Sequence, residues 1–376
     1  MPFINPILKC RCPYCHTEFY PGQCAIVRFK DGVVLHPANT SLAARSWLRS
    51  IGGEENLRYQ VVRQCPNPNC GRALPHNIGL VDNLTIAIVG DTYAGKSHYI
   101  AASIHQLREG KMTQIDRYAR FIRLNPEIEE QYLQKFFNPL FKQKQQLPGN
   151  LPATSPINDP LIYEMVFEGA INPGRIKHLN MLIYDAAGGD LANQDVMVDV
   201  ARFVLNADAL IFLADPMSME GIVEQLPFHL RNNPTSGRRA SDVLNWVIQT
   251  LERARNLEAG ARLPIPIAIT ISKSDLLKYV RGARQQYRFL YNPRYYGVVD
   301  LADVYAVDAE IRDLIANFGD TTLLQAAKRF DNVNFFATSA TGWPPNADGT
   351  YPAIVPQRCL DPLLWVLWKL KVVEAV

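Results

Sequence analysis

The stretch "NLTIAIVGDTYAGKSHYIAASIHQL", Asn83 to Leu107, decides the fold. Its apolar run from Leu84 to Val89 has the composition of a strand buried on both faces in a parallel sheet. Ser97 to Leu107 has the composition of a helix. Between them "GDTYAGKS", Gly90 to Ser97, matches G-x-x-x-x-G-K-[ST]. Such a match arises by chance in about 1% of chains this long, and a preceding strand and following helix make chance a poor account of it. The glycines let backbone N–H groups wrap phosphates, and the helix N-terminus favours negative charge. Gly90, Asp91, Thr92, Tyr93, Ala94, Gly95, Lys96, Ser97 and His98 are therefore expected to line a nucleotide. Lys96 is expected to reach the β- and γ-phosphates and Ser97 to coordinate Mg²⁺.

Downstream, "LPGNLPATSPIND" is a loop by its Pro, Gly and Ser content. "LIYEMVFEGA" and "KHLNMLIYD", joined by the short "INPGRI", are expected to form an antiparallel hairpin. "ADALIFLADP", "IPIAITISKSD" and "NVNFFATSA" follow as buried strands, with "SDVLNWVIQTLERARNL" as a helix between the first two and "DPLLWVLWKLKV" as a last helix. Alternating strands and helices imply a mostly parallel sheet with helices on both faces. Residues 111–150 are polar and helical in pattern. Residues 278–330 begin arginine- and tyrosine-rich and then become helical. Both are expected to be insertions.

Three further motifs end strands in this order. Asp185 is followed three residues on by Gly188; then come "SKSD", Ser272 to Asp275, and "TSAT", Thr338 to Thr341. Ligands of open α/β sheets bind at that carboxyl edge. With the phosphate loop, the set resembles the P-loop GTPases of the Ras-like and translation-factor class. The resemblance implies that Asp275 accepts hydrogen bonds from guanine N1 and N2, that Lys273 lies against the base plane, and that Ser339 and Ala340 present a backbone N–H to guanine O6. The family has Asn or Thr where this chain has Ser272, so ATP stays open as an alternative ligand. The resemblance also implies that Asp185 holds Mg²⁺ through a water and that the Gly188 N–H contacts the γ-phosphate. Thr154, with Ser155 as the alternative, is expected to complete the Mg²⁺ shell. The family places Gln or His after the DxxG motif to orient the attacking water, but Gly189 stands there and has no side chain. Gln194 or Asp190 could substitute, or a partner could supply the group, so the catalytic candidates are Lys96, Gln194 and Asp190, and slow turnover is expected.

Six of the seven cysteines lie in the first 70 residues. Cys12 and Cys15 in "CPYC", with Cys65 and Cys70 in "CPNPNC", suit two tight turns that present four thiolates to one Zn²⁺. Cys10, Cys24 or His16 could replace one ligand, and free thiols are the alternative. Residues 1–80 are thus expected to form a zinc-ribbon-like domain and residues 81–376 the P-loop GTPase domain. This combination, with "DPLLWVLW" near the end, resembles the bacterial double-GTPase group of conflict or defence systems. That implies a cytoplasmic switch working with regulatory or effector proteins, a second GTPase among the candidates.

Of 376 residues, 48% are hydrophobic and 20% charged, as in ordinary globular chains, and the net charge is +3. That balance gives little reason to expect binding to nucleic acid or to an anionic membrane. The start shows no signal-peptide pattern, and "PLLWVLWKLKVVEAV" is too short and lysine-interrupted for a span of about 20 apolar residues. The segment "KYVRGARQQYRFLYNPRYYG" carries Arg281, Arg284, Arg288 and Arg294 among five tyrosines; a solvated face is expected there in preference to a binding surface. A scaffold whose nucleotide only holds the fold is the remaining alternative.

Overall fold

The structure is a computed structural model. It describes residues 9–28, 34–36, 61–75, 77–114, 116, 119–123, 126–148, 160–172, 174, 176–185, 201, 203–231, 238–258, 260–293, 298–318 and 320–376. Twelve strands are described: β1 (Cys10–Arg11), β2 (Glu18–Phe19), β3 (Ile26–Arg28), β4 (Val34–His36), β5 (Val61–Arg63), β6 (Asp82–Gly90), β7 (Arg120–Arg123), β8 (Leu161–Phe167), β9 (Lys177–Asp185), β10 (Ala209–Ala214), β11 (Ile267–Ile271) and β12 (Val333–Ala337).

The last seven form one sheet in the order β12-β11-β10-β6-β9-β8-β7. β10 and β11 are buried at every position, because parallel strands covered on both faces bury successive side chains to either side. Pairing is parallel from β12 through to β9. β8 is antiparallel to β9, from Leu161 opposite Ile183 to Phe167 opposite Lys177, so the expected hairpin is present. β6 leads to β9 on one side and has β10 on the other. Its carboxyl end is thus the point where the strand order reverses, the usual ligand crevice of such sheets.

One strand departs from the sequence reading. Arg120–Arg123, in the segment whose sequence pattern is helical, extends the sheet antiparallel to β8. Four residues with arginine at both ends carry no apolar run long enough to stand out. What holds the strand is tertiary: Phe121 stacks on buried Tyr163 at 4.5 Å and 25°. The expected helix of that segment is present as Pro126–Tyr132, continued by the π-helix Leu133–Lys142. Pro139 inside it lacks the N–H that a regular turn would use.

Helices cover both faces of the sheet. We label α1 (Lys96–Arg108), α2 (Ala240–Ala254), α3 (Leu301–Phe318) and α4 (Asp361–Lys369). α1 and the segment before α4 are tied where the Ser103 hydroxyl donates to the Cys359 carbonyl at 3.1 Å. Most of α4 is buried, including Trp365 at 1% exposure. No helix among the described residues is long and apolar enough to cross a membrane.

The cysteine-rich unit contributes the β1–β2 ribbon and a second sheet of order β4-β3-β5. Its own core is small: Cys12, Phe19, Cys24, Cys65, Leu74 and Ile78. Among the described residues, hydrogen bonds tie it to the large sheet through β9. Asn77 and Asn180 exchange side-chain hydrogen bonds of 2.8 and 2.9 Å. The Tyr184 hydroxyl donates to the Pro13 carbonyl, while the Tyr184 ring stacks on Phe203 at 4.5 Å and the His16 ring lies 5.6 Å away.

Candidate functional site

The phosphate-loop residues curve from β6 into α1 at the strand-order reversal. Gly90 is there because β10 passes close: a Cβ would lie 2.5 Å from the Leu213 carbonyl oxygen. Gly95 caps α1 at φ 79°, and Tyr93 also takes a positive φ of 67°. The Asp91 carboxylate accepts from the Thr92 N–H at 2.8 Å and steadies the turn. Lys96 is buried, and its ammonium donates to the carbonyls of Gly90 at 3.0 Å and Asp91 at 2.7 Å. Those bonds hold the charge inside the curve of the loop.

Beside it lies a cavity of about 460 Å³ whose lining includes Lys96, Ser97, Lys273, Asp275, Ala340 and Trp343. That volume suits a nucleotide-sized ligand. The residues expected at phosphate and at base therefore border one space. Ser272 directly follows β11, with its N–H and hydroxyl both donating to the Ala214 carbonyl, at 2.9 and 3.2 Å. The serine at this position thus stitches the base-side loop to β10. Lys273 follows in the left-handed region at φ 50°. Its ammonium pairs with Asp215 at 2.7 Å, and Asp215 also accepts from the Met217 N–H at 2.9 Å. Burial pushes the Asp215 carboxyl up, and the Lys273 charge works against that.

Asp275 is 3% exposed. Burial raises its carboxyl above the ordinary range, and the Ser339 hydroxyl, donating to it at 2.5 Å, opposes the rise. The Gly342 N–H donates to that same hydroxyl at 2.8 Å. A fixed relay therefore aims the carboxylate, the geometry needed to read two adjacent donors on a ligand edge.

Gln146 and Leu147 also line the cavity. The Leu147 N–H donates to His98 Nε2 at 3.2 Å, and the Tyr351 hydroxyl lies 3.4 Å from the same nitrogen. Burial, then the nearby Lys273 charge, lowers the His98 pKa to about 4, so the ring is a neutral acceptor. Asp185 ends β9 in register with Ile88. Its side chain lies outside the described residues, as do Thr154, Ser155, Gly188, Gly189, Asp190 and Gln194.

The four cysteines of the two turns converge. Cys12 and Cys70 sulfurs are 3.9 Å apart, Cys15 and Cys65 3.7 Å, and all four lie within 4.8 Å of one another. A tetrahedron of thiolates about 2.3 Å from zinc has edges of about 3.8 Å, so the donor set fits Zn²⁺. Burial pushes the Cys12 thiol far up and Cys65 to about 11; a cation is what would hold both as thiolates.

Three contributors escaped the sequence reading. Asp215 follows an unremarkable apolar strand, 58 residues from its lysine. The His98–Leu147 contact joins elements 49 residues apart. Trp343, four residues beyond Ser339, offered only the hint of a tryptophan next to a glycine and two prolines.

The chain is similar to known proteins in three ways. A Mycolicibacterium smegmatis protein, SaeC, named as a candidate ESX-1 scaffolding and assembly protein, is 24% identical over 405 residues, covering 95% of this chain and 98% of that one. The Arl6 BBS3 small GTPase of Trypanosoma brucei, solved with the analogue GppNp, is 14% identical at a TM-score of 0.28, with 78% of this chain and 99% of that chain covered. The signal recognition particle receptor SRb-GTP/SRX complex of Chaetomium thermophilum is 15% identical at a TM-score of 0.30, with 71% and 94% covered. The Double-GTPase 2 family model matches residues 84–334, from the phosphate-loop strand into the last strand of the sheet, and the chain belongs to the Double-GTPase 2 family.

Proposed function

We propose that this protein is a GTP-binding switch with slow, Mg²⁺-dependent hydrolysis, built from a zinc ribbon over residues 1–80 and a GTPase domain over residues 81–376. The observation that carries the reading is Asp275: a buried carboxylate aimed by Ser339 into the cavity that Lys96 and Ser97 also border. Guanine presents two adjacent donors to such an acceptor and adenine does not. In this reading Lys96 turns to the β- and γ-phosphates, the loop N–H groups cradle them, and the Ala340 backbone meets guanine O6. Mg²⁺ would be held by the Ser97 hydroxyl, by Asp185 through water and by Thr154, and would neutralise charge on the phosphate oxygens. The Gly188 N–H reports the γ-phosphate.

Gly189 offers nothing to orient water, so hydrolysis depends on Gln194 or Asp190 or on a group from a partner. We expect intrinsic turnover on the order of 10⁻³ s⁻¹ or below. The Mycolicibacterium smegmatis relative is named for scaffolding and assembly. We carry that over as a switch that acts inside a multi-protein system; bacterial defence is one setting. The same name favours a second reading, a scaffold whose bound nucleotide is never turned over.

Binding of labelled GTP and ATP separates these from an ATPase. Wild type is expected to prefer GTP at least 100-fold, and Asp275→Ala to lose most of that preference while keeping affinity for inorganic triphosphate. Equal binding of ATP and GTP by wild type would sink the guanine reading. Hydrolysis absent under every added partner would favour the scaffold.

A further inference from the structure

The loop after Ser339 reads "ATGWPP", Ala340 to Pro345. Its backbone is fixed from several directions. Ser339 and Gln357 exchange backbone hydrogen bonds of 3.1 and 2.7 Å, and the Val355 N–H donates to the Thr341 carbonyl at 2.8 Å. The Thr341 hydroxyl donates to the Trp343 carbonyl at 2.9 Å. Gly342 takes φ +79°, and a Cβ on it would lie 2.5 Å from the Val355 carbonyl oxygen, so only glycine lets the chain turn here. Pro344 and Pro345 fix the exit. The Lys278 ammonium lies 3.4 Å from the Gly342 carbonyl and 5.9 Å from the centre of the Trp343 ring.

The result is a rigidly mounted tryptophan that is nonetheless 48% exposed and borders the cavity shared with Lys273 and Asp275. Its place on the cavity lining, on a backbone fixed from both sides, offers a flat ligand a broad apolar face. We infer that Trp343 is a wall of the base subsite, its indole covering a face of the purine while Asp275 reads the edge. The inference rests on the GTP-binding reading and divides its labour. Every purine has a π-face, so stacking adds affinity without choosing the base. Trp343 supplies grip and Asp275 supplies choice.

The test compares wild type, Trp343→Ala and Trp343→Phe for GDP, GTP, ATP and inorganic triphosphate. Trp343→Ala is expected to weaken GDP and GTP alike by about tenfold, to leave the GTP-to-ATP ratio unchanged, and to leave triphosphate binding within twofold. Trp343→Phe keeps a stacking ring and is expected to bind GDP within threefold of wild type. GDP should change the tryptophan emission of wild type, and that change should vanish in Trp343→Phe. Trp343→Ala binding GDP as well as wild type overturns the inference alone, and so does a loss of triphosphate binding equal to the loss of GDP. A wild type that binds no guanine nucleotide overturns the underlying reading, and this one with it.

Discussion

The cysteine cluster and the nucleotide cavity are organised by opposite means. The cluster shares a core of only six buried residues, two of them its own cysteines, with strands of two or three residues. Its geometry is set by four sulfurs within 4.8 Å. The cavity is set by four parallel strand ends and the backbone bonds behind them, as in the stitching of Ser272 to Ala214 and of Ser339 to Gln357. In the first region a few side chains carry the fold, and losing one should undo the unit. In the second the backbone carries the shape, and a single side chain can change without loss of architecture.

The largest effect expected from that contrast follows Cys65→Ser. Structural zinc sites of this kind contribute about 10–16 kcal/mol of apparent binding free energy in small peptides, far more than a core of six residues can replace. The variant is expected to lose stoichiometric zinc and to expose residues ahead of Asp82 to protease. The portion from Asp82 onward is expected to stay resistant and to bind GDP. Metal analysis with limited proteolysis reads both. If GDP binding disappears together with the zinc, the two regions are one energetic unit and the contrast is broken.

A smaller effect belongs to the cavity wall. His98 is half-buried and neutral, with a pKa near 4 against about 6.5 when exposed. The unfolded chain therefore binds the extra proton first as pH falls. The stabilisation is full above pH 6.5 and is lost between 6.5 and about 4. Two and a half units, discounted for partial exposure, amount to about 2 kcal/mol. His98→Gln keeps an acceptor for the Leu147 N–H without a titrating ring. Urea unfolding at pH 7 and pH 4.5 should show wild type losing about 2 kcal/mol more than the variant. Equal losses would remove His98 as the source.

How far each region could be read from sequence follows the same division. "GDTYAGKS" was legible because its glycines answer local backbone needs: a left-handed cap at Gly95 and the close pass of Leu213 at Gly90. The hairpin was legible because two apolar runs flank a short turn. The cysteine turns were legible because metal spacing is local too. β7 was not, because Phe121 becomes a strand residue only where Tyr163 meets it. Nor was the pairing of Lys273 with Asp215, or the placing of Trp343 at the cavity, since both depend on elements brought together by the sheet. Local chemistry leaves a pattern in sequence; long-range packing leaves only composition.

The smallest effect tests the seam between the two regions. The Tyr184 ring stacks on Phe203 with His16 of the cysteine turn beside it, and the Tyr184 hydroxyl donates to the carbonyl of Pro13, between Cys12 and Cys15. Tyr184 directly precedes Asp185, so the turn that holds half the sulfurs touches the strand end beneath the proposed γ-phosphate sensor. Tyr184→Phe keeps the stack and removes one buried donor, leaving the Pro13 carbonyl to find water, a change of about 1 kcal/mol. Hydrogen exchange of the amides of Cys12 and residues 14–16 is expected to quicken about fivefold, while GDP affinity stays within twofold. If exchange at the turn is unchanged, the hydroxyl bond carries no load between the regions and their contact is packing alone. If GDP affinity falls as well, the cysteine turn and the nucleotide site are linked through β9, and the independence expected for Cys65→Ser would have to be surrendered with it.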